Sequence, residues 1–252
     1  MNVFLYGEHA ASVRETVRAA GIGIADDVRE ADLIFIYGGD GAMLSAAAEY
    51  PDRLKFAMRD FNTAPLCPDH QAPEVLAKLR EGAFRVTDLP RLRGSANGET
   101  LYGINDIFIH NKINVSAMRY DVAIDSELYG SEIVGDGVGV ATVHGATAYY
   151  RSITHSIFRT GIGLAFSNST EAVNHLVLPE SSVIRIRILR GPCEMTADNL
   201  AHVIPMKEGD IGEIRLSNET TPVLGLECFM CPRCRKMRHD LRKSLPRWTV
   251  NA

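Results

Sequence analysis

An α/β domain followed by a β-rich, sandwich-like domain is the fold this 252-residue sequence predicts, on three observations. Residues 1–92 alternate short apolar runs with helical patterns, the signature of a parallel sheet with crossover helices, Rossmann-like in texture. From residue 93 onward the runs are short and alternate with period two, separated by Gly, Asn, Asp and Pro, as in an all-β sandwich. Between the two textures, Asp88–Gly98 concentrates breakers and polar residues and reads as the boundary. The expected organisation is therefore 1–92 as α/β, 93–226 as β-rich, and 227–252 as a basic, cysteine-bearing tail.

The elements follow in order. Asn2–Tyr6 is an apolar run of strand length, Ala10–Ala20 has helical spacing, Ala31–Tyr37 is a second strand and Ala42–Glu49 a second helix. Lys55–Met58 is expected as a further strand and Ala72–Arg80 as a further helix. In the second half Asn105–His110, Arg119–Ile124, Val183–Leu189 and Ile211–Leu216 read as strands. The chain has no internal repeat and no low-complexity tract.

Composition narrows the function classes. With 27 Lys+Arg against 31 Asp+Glu the net charge is −4, which supplies no electrostatic argument for a nucleic-acid or anionic-membrane partner. At 46% hydrophobic and 23% charged residues the chain is expected to be soluble and globular rather than disordered. It opens without a basic n-region, and no stretch approaches the roughly 18 apolar residues of a membrane span, so the expected location is the cytoplasm. Five cysteines are too few for a disulfide scaffold. Cys67 and Cys193 read as ordinary buried thiols, whereas Cys228, Cys231 and Cys234 crowd together and suggest metal or redox chemistry.

The first motif is Tyr37-Gly38-Gly39-Asp40-Gly41, at the carboxyl end of an apolar run and just before a helical pattern. Ligands of open α/β sheets bind at that end of the strands. Gly38, Gly39 and Gly41 let the backbone approach a bulky anion, the following helix offers N–H groups to phosphate, and Asp40 can accept a proton or hold a hydroxyl. The plainer reading of the same residues is a tight turn with an Asx bond. A P-loop lysine signature and a G-x-G-x-x-G fingerprint are both missing from the sequence.

Two further blocks are Gly103-Ile104-Asn105-Asp106 and the run from Gly135-Asp136-Gly137 through Gly145-Ala146-Thr147-Ala148-Tyr149. In this order, and with the GGDG loop, they resemble the NAD kinase family, whose pattern is GGDG, an Asn followed by an acid, and a D-G block leading into G-[SA]-T-A-Y. The resemblance covers roughly residues 1–226, including Ile162–Ala165 and Val177–Arg185. It implies a phosphotransferase that makes NADP from NAD with ATP, another nucleotide or polyphosphate as donor. It also implies a divalent cation such as Mg²⁺, and a homo-oligomer. Asp40 is similar to the family's catalytic aspartate at the adenosine 2′-hydroxyl, and Gly38, Gly39 and Gly41 to its donor-phosphate glycines. Asn105 and Asp106 match the pair that grips NAD, Asp136 the residue at the nicotinamide end, and Thr147, Ala148, Tyr149 and Ser152 the adenine and ribose segment.

The sequence also departs from that pattern. The family's G-I-N-x-G-x-L-G-F block is replaced by residues 57–68, in which Asn62 and the apolar lead-in survive. Its P-H-S-L-S loop is replaced by residues 166–175, where His175 is a candidate stand-in. Arg151 reads either as a phosphate contact or as an exposed arginine. These changes leave open a nucleotide-binding regulatory protein of the same fold; a lipid or sugar kinase shares GGDG without the T-A-Y block.

The tail lies outside the family pattern. Cys228, Cys231, Cys234 and His239 form C-x2-C-x2-C-x4-H, a donor set suited to tetrahedral zinc. An iron–sulfur cluster taking its fourth ligand from Cys67 or Cys193, or three reduced thiols without metal, are the alternatives. Residues 228–252 hold seven Lys/Arg against the single acid Asp240, so a basic tail follows a body with 20 basic and 30 acidic residues.

Overall fold

The computed structural model describes residues 1–60, 66–113, 115–229 and 231–244. Its strands and helices in chain order are β1 (Asn2–Tyr6), α1 (Arg14–Ala19), β2 (Gly23–Ala25), β3 (Leu33–Tyr37), α2 (Asp40–Glu49), β4 (Lys55–Met58), α3 (Ala72–Arg80), β5 (Val86–Ala96), β6 (Glu99–Gly103), β7 (Asp106–Asn111) and β8 (Met118–Ile124). They continue with β9 (Glu127–Gly135), β10 (Gly137–Ala141), α4 (Tyr149–Thr154), β11 (Ile162–Ser167), β12 (Leu176–Leu178), β13 (Ile184–Arg190), β14 (Cys193–Ala197), β15 (Ile204–Met206), β16 (Ile211–Leu224), α5 (Leu226–Phe229) and α6 (Pro232–Ser244). Two units form: residues 1–46, 52–88 and 222–252 make the first, and 47–51 with 89–221 the second. The C-terminal segment is thus part of the first unit. No helix among the described residues is long and apolar enough to cross a membrane.

The first unit is built on a parallel sheet in the order β2-β1-β3-β4, with Val223 and Leu224 of β16 running parallel to β4. Every residue of β3 and β4 is buried, the outcome expected of central parallel strands covered on both faces. Helix α3 shows how the sequence supplies a cover. Pro73 sits in its first turn, Glu74 lies at its N-terminal end, Lys78 and Arg80 lie at its C-terminal end, and Ala72, Val75, Leu76 and Leu79 face inward. These pack with Val3, Val17, Phe35 and Phe56 into one core, each large apolar side chain contributing roughly 1.5–3 kcal/mol.

The second unit is an antiparallel sandwich. One sheet runs β12-β11-β10-β7-β14-β15. The other is formed by β9, β8, β13 and the start of β16. Alternate residues of β8, β13 and β14 point inward, and Ile107, Ile109, Tyr120, Val138, Ile184 and Ile186 meet in the shared core. Strands β7, β10 and β11 are buried on their other face as well, because Ala146, Tyr150 and Phe158 cover Phe108, Ala141 and Ala165. Gly163 permits that cover: a Cβ there would lie 2.3 Å from the Phe158 ring and 2.6 Å from the Tyr150 ring.

This α/β-plus-sandwich architecture is the one the sequence predicts. The breaker-rich stretch Asp88–Gly98, read from sequence as the boundary, is the place where the two units divide, at Asp88 and Leu89, and it is built as strand β5 through Ala96, paired with β6. Asn97 and Gly98, at φ 52° and 81°, form the two-residue turn between Ala96 and Glu99, so the Asn-Gly pair marks a hairpin.

Candidate active site

In the first unit the GGDG loop joins the end of β3 to the start of α2. The Gly38 N–H donates to the Met58 carbonyl at 3.0 Å, which fixes the loop to β4. Asp40 is the first residue of the ten-residue helix α2, so the loop caps an end whose backbone dipoles favour an anion. A Cβ on Gly39 would meet nothing within 4 Å, which leaves open space over this part of the loop. The Asp40 carboxylate accepts from the Arg59 guanidinium at 2.9 Å. Arg59 is itself buried, donates through Nε to the Phe229 carbonyl at 3.1 Å, and lies 4.3 Å from the centre of the Phe229 ring. Beside it the buried Asp60 accepts from the Tyr37 hydroxyl at 3.0 Å and pairs with His9 Nδ1 at 3.1 Å. Arg59, Asp60 and His9 are not evident as site residues in the sequence, because their partners lie on separate elements and, for Phe229, far along the chain.

In the second unit the Asn105–Asp106 turn is clamped from two sides. The half-buried Asp198 carboxylate accepts the N–H groups of Ile104, Asn105 and Asp106 at 2.8, 2.8 and 3.0 Å. Thr142 donates its hydroxyl to the Ile104 carbonyl at 2.6 Å and its N–H to the Asn105 carbonyl at 2.9 Å. The backbone of Asn105 is therefore engaged while its side-chain amide takes no part in the clamp. Gly145 belongs to the same assembly: its N–H donates to the Thr142 hydroxyl, and a Cβ would sit 2.1 Å from the Asn105 carbonyl oxygen. The glycine that opens G-A-T-A-Y is thus required by close approach to the Asn-Asp turn. Burial, and then the neighbouring Asp198 charge, push the Asp106 carboxyl up to about 7. Burial also raises Asp198, against the backbone N–H bonds it accepts.

Asp136 lies between β9 and β10, accepting from Asn168 at 2.8 Å, while the Asn111 N–H donates to its carbonyl at 3.0 Å. His110, Phe108 and Tyr149 form an aromatic group: the Phe108 and His110 rings stack with centres 5.4 Å apart, and Tyr149 lies 4.7 Å from Phe108 and 5.6 Å from His110. Burial lowers the His110 pKa, with Asp136 opposing. Thr147, Ala148, Tyr149 and Ser152 are all exposed, at the start of α4. Tyr149 and Ser152 line a cavity of about 550 Å³ together with Phe166, Asn168, Glu171 and His175. That volume lies within the ordinary range of small-molecule sites. The rewritten 166–175 loop therefore forms one wall of it. His175 accepts the Phe166 N–H at 3.2 Å, and Arg151 is exposed.

The cysteines depart from the expected set. Cys231 and Cys234 come together with Cys67 and His70, all four ligand atoms lying within 4.8 Å of one another. Cys228 and His239 are not in the group. Cys228 lies on the short α5 and is half-buried. His239 lies five residues after Cys234 on α6, about 140° around the helix, where it is exposed beside Asp240. Cys67, read from sequence as an ordinary thiol, is one of the converging groups. A signal for it was present: Cys67-Pro68-Asp69-His70 and Cys231-Pro232-Arg233-Cys234 share one pattern. Asn62 lies outside the described residues, as do tail positions 245–252.

No family model matches the chain. Among curated proteins it is similar to the mitochondrial NADH kinase of Saccharomyces cerevisiae, 26% identical over 239 residues, 87% of this chain and 57% of that protein. It is also similar to the NAD kinase of Levilactobacillus brevis, 26% identical over 213 residues, 80% of this chain and 75% of that protein. The chain thus spans a little over half the length of the yeast relative. Among solved structures, an NAD kinase from Archaeoglobus fulgidus in complex with ATP superposes with a TM-score of 0.72 at 17% identity, covering 96% of this chain and 99% of that one. A yeast NADH kinase complexed with NADH gives 0.74 at 17% identity, covering 100% and 90%. At these identities the superpositions show the fold.

Proposed function

We propose, on the premise that a chain with this fold and these relatives belongs to the NAD kinase family, that it phosphorylates the adenosine 2′-hydroxyl of NAD to give NADP. The placement of Asp40 carries the proposal: it is a carboxylate on a glycine loop at a helix start, at the carboxyl end of a parallel strand. Asp40 accepts the proton of the 2′-hydroxyl as that oxygen bonds to the donor's terminal phosphorus, and the bridging P–O bond breaks to release the nucleoside diphosphate. Gly38, Gly39 and Gly41 let the donor phosphates approach the backbone. Asn105 presents its side-chain amide, and Asp106 its carboxylate, to ribose hydroxyls; the clamp by Asp198 and Thr142 keeps both in place. The exposed Tyr149 ring, backed by Phe108 and His110, offers a stacking surface for a base, and Asp136 lies beside His110.

ATP is the expected donor, with another nucleoside triphosphate or polyphosphate as the alternative. A divalent cation such as Mg²⁺ neutralises the donor phosphates when bound. A cytoplasmic homo-oligomer completes the reading. Purified protein incubated with NAD, ATP and magnesium should form NADP, measured by an NADP-specific dehydrogenase. Asp40→Asn should lower kcat by roughly 10²–10⁴-fold. Turnover unchanged by that substitution would sink the assigned role of Asp40, and absence of NADP with every donor would sink the function.

A further inference from the structure

We propose that Cys67, His70, Cys231 and Cys234 bind a single zinc ion, and that this site fastens the C-terminal segment to the turn that follows β4. The four ligands come from two places in the chain. Cys67 precedes and His70 ends the short turn Pro68–His70, and Cys231 precedes α6 while Cys234 lies in its first turn. Each pair has the form Cys-Pro-x-ligand, with proline starting a turn that returns the second ligand toward the first. The third positions of the two turns, Asp69 and Arg233, pair with each other at 2.5 Å, so the turns meet through their intervening residues as well as their ligands.

The distances suit one ion. Tetrahedral zinc with Zn–S about 2.3 Å and Zn–N about 2.0–2.1 Å sets sulfurs about 3.8 Å apart and sulfur from nitrogen about 3.5 Å. The Cys67 and Cys231 sulfurs are 3.9 Å apart, and Cys234 Sγ is 3.6 Å from His70 Nδ1. Cys67 Sγ is 2.9 Å from His70 Nδ1, a contact that opens by about half an ångström on binding. The Cys67 N–H donates to Cys234 Sγ at 3.3 Å, a bond that stabilises a thiolate in a metal knuckle.

Three cysteines packed only as small apolar groups do not require an imidazole in their midst, and here it is His70 that bridges two of them. A multi-iron cluster spreads its ligands further than 4.8 Å and takes thiolates at most positions, so the compact three-sulfur, one-nitrogen set favours zinc. Binding expels the thiol protons and closes a loop of more than 160 residues between Cys67 and Cys231, the kind of constraint that stabilises most. Phe229, which holds Arg59, lies two residues before Cys231, so the ion anchors the segment that reaches the Asp40 loop.

Metal content tests this without any activity assay, so its outcome is separate from that of the kinase reading. The full chain, purified reduced and without chelator, should carry about one zinc per molecule by plasma mass spectrometry. Cys67→Ser and Cys234→Ser should lower that content at least fivefold, while Cys228→Ser and His239→Ala leave it unchanged. Should the serine variants fail to fold, wild-type protein stripped of metal and titrated with cobalt(II) should develop the intense visible absorption of tetrahedral thiolate coordination. That absorption should saturate at one equivalent and be displaced by zinc. Reduced protein with neither metal nor a cobalt spectrum overturns the site. So does stoichiometric iron with sulfide, or loss of zinc on changing Cys228 and His239 but not Cys67.

Discussion

The Arg59 guanidinium donates to the Asp40 carboxylate at 2.9 Å while its other edge is fixed by the Phe229 carbonyl at 3.1 Å. A residue outside the glycine loop therefore sets the direction of the carboxylate within it. Arg59→Lys keeps the positive charge but cannot span both partners. Its kcat for NADP formation is expected to fall roughly 10–10²-fold with a smaller change in the KM for NAD. Equal kcat in the variant and the parent would reduce the pair to a packing contact.

Asp198 should matter to both stability and NAD binding. Replacing it with Ala strands three part-buried N–H groups, those of Ile104, Asn105 and Asp106. The expected cost is roughly 2–4 kcal/mol in a urea unfolding curve. Asp198→Asn keeps an acceptor oxygen and should recover part of it. The KM for NAD should rise in both variants, since the turn carries the Asn105 amide. A stable Ala variant with an unchanged KM would contradict the clamp.

Asp106 predicts a pH effect of definite sign. Its pKa is raised from 3.8 to about 7, so across that window the folded chain holds a proton that the unfolded chain has released. Stability from this group therefore falls as pH rises from about 4 to about 7 and levels off above, at about 1.4 kcal/mol for each tenfold difference in proton affinity between the folded and unfolded chains. Asp106→Asn removes the dependence. Its melting temperature relative to the parent should rise from pH 5 to pH 8, although NAD binding weakens. A constant difference across that range would show that the carboxyl titrates normally.

Gly145→Ala tests the close approach at the G-A-T-A-Y block. A methyl group 2.1 Å from the Asn105 carbonyl oxygen must displace the Asn-Asp turn. The variant should unfold several degrees earlier by calorimetry and bind NAD at least tenfold more weakly. Gly39→Ala, where the Cβ meets nothing within 4 Å, should leave the melting temperature nearly unchanged and raise the KM for the donor. If the two glycines respond alike, the division between packing and ligand approach is wrong.

What was legible in the sequence was what is local. The GGDG loop, the Asn105–Asp106 pair and the Gly145–Tyr149 block are contiguous, and their order suffices to place them at strand ends. Asp198 was not legible, because it acts on the turn from more than 90 residues away through backbone N–H groups that leave no pattern. Arg59 and Phe229 meet across 170 residues for the same reason. The β5 strand was obscured because Pro90, Gly94 and Asn97-Gly98 resemble punctuation; Gly94 instead lets Met195 and Ile107 pack against the backbone. In the tail, spacing alone favoured the neighbouring Cys228 and His239, whereas the helix turned His239 away and tertiary contact supplied Cys67 and His70.

The parallel pairing of Val223 and Leu224 with Lys55 and Phe56 has a temporal consequence. During synthesis the second unit's residues 89–221 emerge as one uninterrupted stretch and can close their sandwich early, but the first unit must wait. Its sheet lacks a strand, and its cysteine turns lack partners, until residues 222–234 have left the ribosome. A nascent chain arrested shortly before that point should expose β4 to chaperones, with the GGDG loop already translated but not yet supported by Phe229.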